Sequence, residues 1–313
     1  MRIRAIAAAA AVLLMLPLAA CSPSQNSATS QLPKKDIAKW VMPLDEYWSA
    51  GTDSLSSYAS NLLVSECLKT EYIDWQIPWQ STDPSSYLAP TANMSGFQHL
   101  TVEAAREYGY RAPVAPGGMG APTAEELKQR KQFLTLAAST PGFDAIINVC
   151  IKDARKQFDE AESTQIVNTM NGWVRDSWEK AEQNAAVKQT GTIWQKCLND
   201  AGYAVDLAAP IDDGADGTMP SRTLLQTLGI PPRWQSGDGA PENPLTQGEI
   251  ELAVADATCR ESSGWSKAIY DAMWVAQTKT VTEHADELVR LRERGDALLK
   301  SALQIIAEHA PEK

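Results

Sequence analysis

The pattern that decides the fold is clearest in the segment Glu249-Ile250-Glu251-Leu252-Ala253-Val254-Ala255-Asp256-Ala257-Thr258-Cys259-Arg260. Its apolar residues return every three to four positions, as on one face of an α-helix: Ile250, Ala253, Val254 and Ala257. Thr246 and Glu249 stand at capping-box spacing before this run, and Gly264 follows it as a stop signal. The segment therefore predicts an amphipathic helix that carries Cys259.

The same helical spacing recurs along most of the chain. It marks residues 55–67, a capped segment from Thr123, the stripe from Phe143 to Phe158, the proline-free stretch 162–200, and one long last helix from Ser266 to Glu308. Alternating β-branched runs are few, and no βαβ rhythm is present. We therefore predict an all-α, bundle-like body, interrupted by long irregular loops at 72–122 and 204–245.

The N-terminus has the features of an export signal. Arg2 and Arg4 precede a wholly apolar run from Ala5 to Leu16, which is too short to span a bilayer. The run ends in Leu18-Ala19-Ala20-Cys21, which resembles the lipobox of bacterial lipoproteins. The resemblance implies diacylglyceryl transfer to the sulfur of Cys21, cleavage before Cys21, and acylation of the new amino group. The alternative is ordinary secretion with cleavage after Ala20, which would leave Cys21 as a free thiol.

The residues after Cys21 predict a tether and then a folded body. Ser22 to Lys35 are rich in Ser, Gln, Asn, Pro and Thr, which favours a flexible segment. We divide the chain into a signal peptide (1–20), a tether (21–35), an N-terminal helical half with a long loop (36–160) and a C-terminal helical half (161–313). Two or more acyl chains anchor a protein stably, so the predicted location is the extracytoplasmic face of the cell membrane.

Charge excludes one class of partner. Loss of residues 1–20 removes Arg2 and Arg4, which leaves 26 basic and 39 acidic residues and a formal charge of −13. A nucleic-acid partner requires a basic surface, so none is predicted. The five cysteines divide into Cys21 and four others in the exported part: Cys67, Cys150, Cys197 and Cys259.

Four cysteines in an oxidising compartment predict two disulfides, with three possible pairings. Cys67 and Cys197 each close an apolar helical run before an aromatic residue. Cys150 and Cys259 each lie late in a compact apolar stretch and precede a basic residue. The chain thus consists of two weakly similar halves, and this similarity favours the pairs Cys67–Cys150 and Cys197–Cys259.

Three segments of the second half form one pattern: Trp194-Gln195-Lys196-Cys197-Leu198 with Gly202-Tyr203, then Ala253 to Arg260, then a long helix containing Gln277. This pattern resembles that of a family of uncharacterised lipoproteins from actinobacteria. Leu198 stands where that family usually has methionine. The resemblance covers mainly residues 140–310, and it implies a topology and an envelope location but no activity.

Motifs for chemistry are weak. The three histidines do not define a site, and neither does a lone match to the SxxK motif at Ser177 to Lys180. An acidic turn begins at Asp212, but it departs from the pattern of a calcium-binding loop at Gly214 and Thr223. No catalytic residue, metal or cofactor is predicted. Trp75, Trp79 and Trp234 are the candidates for recognition, because exposed indoles stack on sugars or fill a partner's pocket. The alternative is that they pack the loops onto the helices.

The predicted function is a non-enzymatic binding or accessory role at the cell envelope, with an envelope protein or a cell-wall polymer as partner. Two alternatives remain open. One is a cell-wall hydrolase or transferase of unrecognised type, and the other is a solute-binding lipoprotein of a transporter.

Overall fold

A computed structural model describes residues 32–88, 99–111, 123–203 and 245–313. Within these ranges the chain forms nine α-helices and no strand, which confirms the predicted all-α class. The helices are α1 Thr52–Thr70, α2 Val102–Tyr108, α3 Ala124–Ser139, α4 Phe143–Gln157, α5 Glu160–Glu182, α6 Ala185–Asp200, α7 Gln247–Ser262, α8 Trp265–Glu283 and α9 Ala285–His309. Short 3-10 helices at Pro43–Tyr47 and Pro84–Tyr87 flank α1.

Helix ends follow local hydrogen bonding. The capping box at Thr123 is confirmed, because its hydroxyl accepts from the Glu126 N–H and the Glu126 carboxylate accepts in return. The prediction of one helix from Ser266 to Glu308 is wrong, since the backbone at His284 (φ −119°, ψ 21°) leaves the helical region and separates α8 from α9. In the stretch 162–200, Asn184 accepts from the Ala186 N–H and starts α6.

Both predicted disulfides are confirmed. Cys67–Cys150 joins α1 to α4 with a Cα–Cα distance of 5.4 Å, and Cys197–Cys259 joins α6 to α7 at 5.6 Å. Each bond ties two helices that lie on either side of a long connection in the sequence, and it removes conformations that the unfolded chain would otherwise sample.

The two cysteine-bearing helix ends share one backbone motif. After Cys67 and Leu68, the N–H groups of Tyr72 and Ile73 return to the carbonyls of Lys69 and Leu68. After Cys197 and Leu198, the N–H groups of Gly202 and Tyr203 make the same two bonds to Asn199 and Leu198. Both are Schellman motifs, with Tyr72 (φ 60°) and Gly202 (φ 92°) at the left-handed position. The weak similarity between the halves therefore extends to the backbone.

The described body has two apolar cores. In the first, α1 packs against α4, α5 and the last helix α9. In the second, α6, α7 and α8 pack together with α2 and with Trp40 and Met42 from the N-terminal segment. Helix α5 packs along α8 and contributes Ile166 and Met170 to the first core and Ala181 to the second. Each core thus contains residues that are far apart in the sequence.

Candidate functional site

The structure separates the tryptophans proposed for recognition. Trp75 is buried (6% exposed), and its ring packs 4.9 Å from the ring of Phe133, so this candidate packs in the core, which is the alternative to recognition. Its position between α1 and α3 makes burial in the core the favourable arrangement for so large an apolar surface. Trp79 is 40% exposed, with the ammonium of Lys313 4.6 Å from its ring centroid.

Several of the sequence-based predictions concern residues outside the described ranges. These are the export signal, Cys21 and most of the tether, Trp234, and the acidic turn at Asp212. Of the predicted recognition set, Trp79 is therefore the member that the structure places at the surface.

A cavity of about 180 Å³ lies beside the start of α1. Its walls come from the turn that precedes α1 and from the facing sides of α5 and α9. Large apolar and aromatic side chains form most of the wall: Tyr47, Tyr87, Ile166, Met170 and Leu291. All five are almost fully removed from solvent by the surrounding core, with exposures between 0% and 8%.

Two glycines allow the turn to pass close to its neighbours. Gly51 has φ +70°, and a Cβ there would lie 3.0 Å from the Cα of Pro84. Gly295 on α9 faces the turn, and a Cβ there would lie 2.8 Å from the Oγ of Ser49. The hydroxyl of Ser49 donates to Asp296 at 2.7 Å, which holds the turn against α9. The cavity mouth is therefore shaped by backbone approach as well as by side chains.

Two polar groups of the cavity wall are buried without a hydrogen-bond partner. They are the indole Nε1 of Trp48 and the hydroxyl of Thr52, and Thr52 itself is only 6% exposed. Buried polar atoms in proteins nearly always have a partner, and neighbouring side chains close both of these atoms off from solvent, so they are a local cost in stability and not an opening into the cavity.

Charged groups lie mainly around the cavity rather than in it. Asp53 is the one charged residue among the described lining residues, and it is exposed and accepts from the Ser163 hydroxyl at 3.3 Å. Burial raises the pKa of Tyr87 to about 12, with Tyr58 and Glu126 adding to the effect, so its hydroxyl stays protonated. In the 3-10 helix that precedes the turn, burial raises the pKa of Asp45 to about 7, although Asp45 accepts from the Met42 N–H at 2.8 Å.

A second polar cluster lies inside the other core. Asp256 is fully buried and accepts from the Tyr110 hydroxyl at 3.0 Å, from the Trp194 indole at 2.8 Å and from Arg260 at 2.8 and 2.9 Å. The guanidinium of Arg260 also lies 4.5 Å from the ring centroid of Trp194 and 5.0 Å from that of Trp265. The carboxylate is therefore charge-paired and saturated with donors, which is the arrangement expected of a structural ion pair.

This cluster continues toward α2. Glu249 does not close the predicted capping box with Thr246, whose hydroxyl accepts from the Glu249 N–H. Glu249 is only 1% exposed, and its carboxylate instead pairs with the guanidinium of Arg111 at 2.9 Å. Burial, and then the charge of Arg260, lower the pKa of His99. The cluster joins α7 to the segment 99–111.

Sequence reasoning missed both features. Asp256 and Arg260 stand four residues apart in an otherwise apolar helical stripe, a signal that could have identified a buried pair. The cavity has no such signal, because its wall combines residues separated by more than 240 positions, from Tyr47 to Gly295.

No family model matches the chain, and no curated protein or solved structure shows significant similarity to it. Among the residues that the structure describes, no cluster of three or more His, Cys, Asp or Glu side chains is arranged to hold a metal ion. In the same ranges, no helix combines the length and the apolar composition needed to cross a bilayer.

Proposed function

We propose that this chain is an extracytoplasmic lipoprotein, anchored in the cell membrane through acylated Cys21, with a non-enzymatic binding or accessory role at the cell envelope. The observation that carries the proposal is the division of the cysteines. Four are paired in two disulfides, and the fifth is Cys21 at the end of the lipobox-like segment. Disulfides favour an exported location, and a lone cysteine after Leu18-Ala19-Ala20 favours lipid attachment.

Metabolic labelling with an alkyne analogue of palmitate in a bacterial host that processes lipoproteins tests the anchor. The wild-type chain should carry the label and sediment with membranes, whereas Cys21→Ser should lose the label. Ser24→Ala, three residues further along the tether, should behave as the wild type. Soluble, unlabelled wild-type protein whose sequence begins at Cys21 would instead show ordinary secretion.

The body supports a binding role better than a catalytic one. Its disulfides hold together the helices on the two sides of each long connection. Its surface presents Trp79, and a partly open cavity lies beside the start of α1. An exposed indole on a rigid scaffold can contact a partner at a small entropic cost.

A photo-crosslinking amino acid at position 79 tests this role in intact membranes. Capture of an envelope protein or a cell-wall polymer from position 79, but not from the exposed control position Val275 (69% exposed), is the expected result. Equal products from both positions, or none from either, would contradict a recognition role for this surface.

The two alternative functions have less support. A cell-wall hydrolase would use a cleft lined by tryptophans and acids, and the burial of Trp75 removes one of the residues proposed for it. Solute-binding lipoproteins usually have two α/β lobes, whereas the described residues of this chain form helices only.

A further inference from the structure

We propose that α3 is a lid that opens as a unit and uncovers an aromatic seat formed by Trp75 and Phe143, while the other helices of the first core stay folded. In the structure the lid is closed, with the ring of Phe133 in the seat. The opening itself is a property of the folded body. Its use in recognition rests on the function proposed above, because Trp75 and the exposed Trp79 belong to one short segment.

Helix α3 has the least buried side chains of the described helices. None of its 16 residues is buried, whereas each of the other eight described helices has at least one buried residue. Its apolar contacts with the first core come from the partly buried Phe133, Leu136 and Ala137, and Leu134 is 55% exposed. A segment with few buried apolar contacts opens at a lower free energy than the core around it.

The closed lid is held by one aromatic ring and by exposed hydrogen bonds. The ring of Phe133 lies 4.9 Å from that of Trp75 and 5.3 Å from that of Phe143. The Gln76 N–H donates to the side-chain oxygen of Gln132 at 3.2 Å, and the Gln132 amide donates to the Asp74 carbonyl at 3.0 Å. Water replaces exposed hydrogen bonds at a small net cost, so the ring carries most of the closure.

The two ends of α3 suit movement as a unit. Residues 140–142 connect α3 to α4, and Gly142 has φ +73° with no heavy atom within 4 Å of a Cβ built there. A short, uncrowded connection of this kind can act as a hinge. At the other end, the Thr123 hydroxyl accepts from the Glu126 N–H, so α3 keeps its own cap when it leaves its neighbours.

The seat also indicates what can replace Phe133. Both rings of the seat meet Phe133 edge-to-face, at interplanar angles of 60° and 78°, which is a favourable geometry for aromatic pairs. The seat therefore favours a partner protein that presents an aromatic side chain. A sugar ring is disfavoured, because its hydroxyl groups would lose water against apolar surface.

Native-state hydrogen exchange of the mature chain with both disulfides intact, followed by NMR, tests the opening. The amides of α3 should be less protected than those of α4 by about a hundredfold or more. Their exchange should depend only weakly on low concentrations of urea, because the opening exposes little surface. The indole N–H of Trp75 should exchange faster than that of Trp48, the matched control, because both are buried without a partner but Trp48 lies in the cavity wall.

Variants identify what holds the lid. Phe133→Ala should raise the exchange of the α3 amides and of the Trp75 indole N–H by a common factor of about ten, as expected for truncating a partly buried ring. Leu134→Ala, at the adjacent exposed position, is the matched control and should change both by less than about twofold. Gln132→Ala is a milder change, which should raise both about threefold and keeps the test valid if Phe133→Ala does not fold.

Each contrary result overturns the lid. Amides of α3 that exchange with the same protection and urea dependence as those of α4 would show that no separate opening exists. An unchanged Trp75 signal in Phe133→Ala, with faster α3 amides, would show that α3 does not cover the seat. Equal effects of Phe133→Ala and Leu134→Ala would exclude the ring as the group that holds α3 closed.

Photo-crosslinking from position 79 tests whether recognition uses the lid. Phe133→Ala should increase the yield of a crosslinked protein relative to Leu134→Ala, whereas an equal yield or a polymer product would overturn the role of the seat. If α3 opens separately and position 79 captures nothing in any variant, the proposed function fails and the lid stands. If position 79 captures a partner and α3 has no separate opening, this inference fails alone.

Discussion

The buried pair of Asp256 and Arg260 provides the sharpest test of how the second core is held together. Asp256 is 0% and Arg260 2% exposed, and the two residues share bonds at 2.8 and 2.9 Å. Arg260→Met keeps most of the side-chain volume between Trp194 and Trp265 but leaves a buried carboxylate without its counter-charge. We expect the free energy of unfolding to fall by about 3–5 kcal/mol, which is typical when one partner of a buried pair is removed.

The complementary change, Asp256→Asn, removes the carboxylate charge that pairs with the buried guanidinium of Arg260 and should cost a similar amount. Tyr110 and Trp194 can still donate to the asparagine oxygen. The double variant Asp256→Asn with Arg260→Met removes both charges and should be less destabilised than the two single variants predict by addition. The difference should be about 2–3 kcal/mol, the upper part of the range for residues in direct contact.

Urea denaturation of the oxidised mature protein, followed by circular dichroism at 222 nm, measures these values. The control is the pair Lys196 and Asp200, which has the same spacing of four residues on a helix but side-chain exposures of 75% and 65%. Its variants Lys196→Met and Asp200→Asn should change the stability by less than about 1 kcal/mol. Additive effects at Asp256 and Arg260, or single-variant costs as small as those of the exposed pair, would refute the reasoning.

Two further predictions concern the first core and its edge. Burial holds the pKa of Asp45 at about 7, well above its usual 3.8, so the folded state keeps a proton that the unfolded state has released. The free energy of unfolding of the wild type should therefore fall as the pH rises from 5 to 7. The fall should exceed that of Asp45→Asn by up to roughly 2–3 kcal/mol. Parallel pH profiles of the two proteins in urea denaturation would contradict this. Tyr72 is 99% exposed at φ 60°, where the second half has Gly202, so Tyr72→Gly should raise the stability by about 0.5–1 kcal/mol in thermal unfolding. Gly202→Tyr should lower it, and a loss in Tyr72→Gly would show that its ring makes a stabilising contact.

The disulfide pairing could be predicted because it depends on local context. The segments after Cys67 and Cys197 form the same helix-ending motif, and the aromatic residue that follows each cysteine makes that likeness visible in the sequence. The helix boundaries were less predictable where no proline or glycine stands. His284 ends α8 although nothing in the sequence from Ser266 to Glu308 forbids a continuous helix. Packing of α9 on α1 sets its direction, and local propensity does not contain that information.

Trp75 shows the corresponding limit for the site. Its sequence context, with Trp79 four residues later, suits an exposed recognition segment as well as a buried one. The structure places Trp75 against Phe133 and leaves Trp79 at the surface. Which indole is covered depends on where α3 lies, and α3 begins more than 40 residues further along the chain.

The sequence alone indicated the helical class and the two cysteine pairs, because short-range spacing and composition encode both. The export and anchoring signals are encoded in the same way, and they remain predictions. Tertiary structure alone decided the buried Asp256–Arg260 pair, the burial of Trp75 and the cavity with its unpartnered Trp48 and Thr52 groups. The physical reason is that burial is a property of the surroundings: a side chain loses its water only when distant segments pack around it, and short-range patterns do not specify those segments.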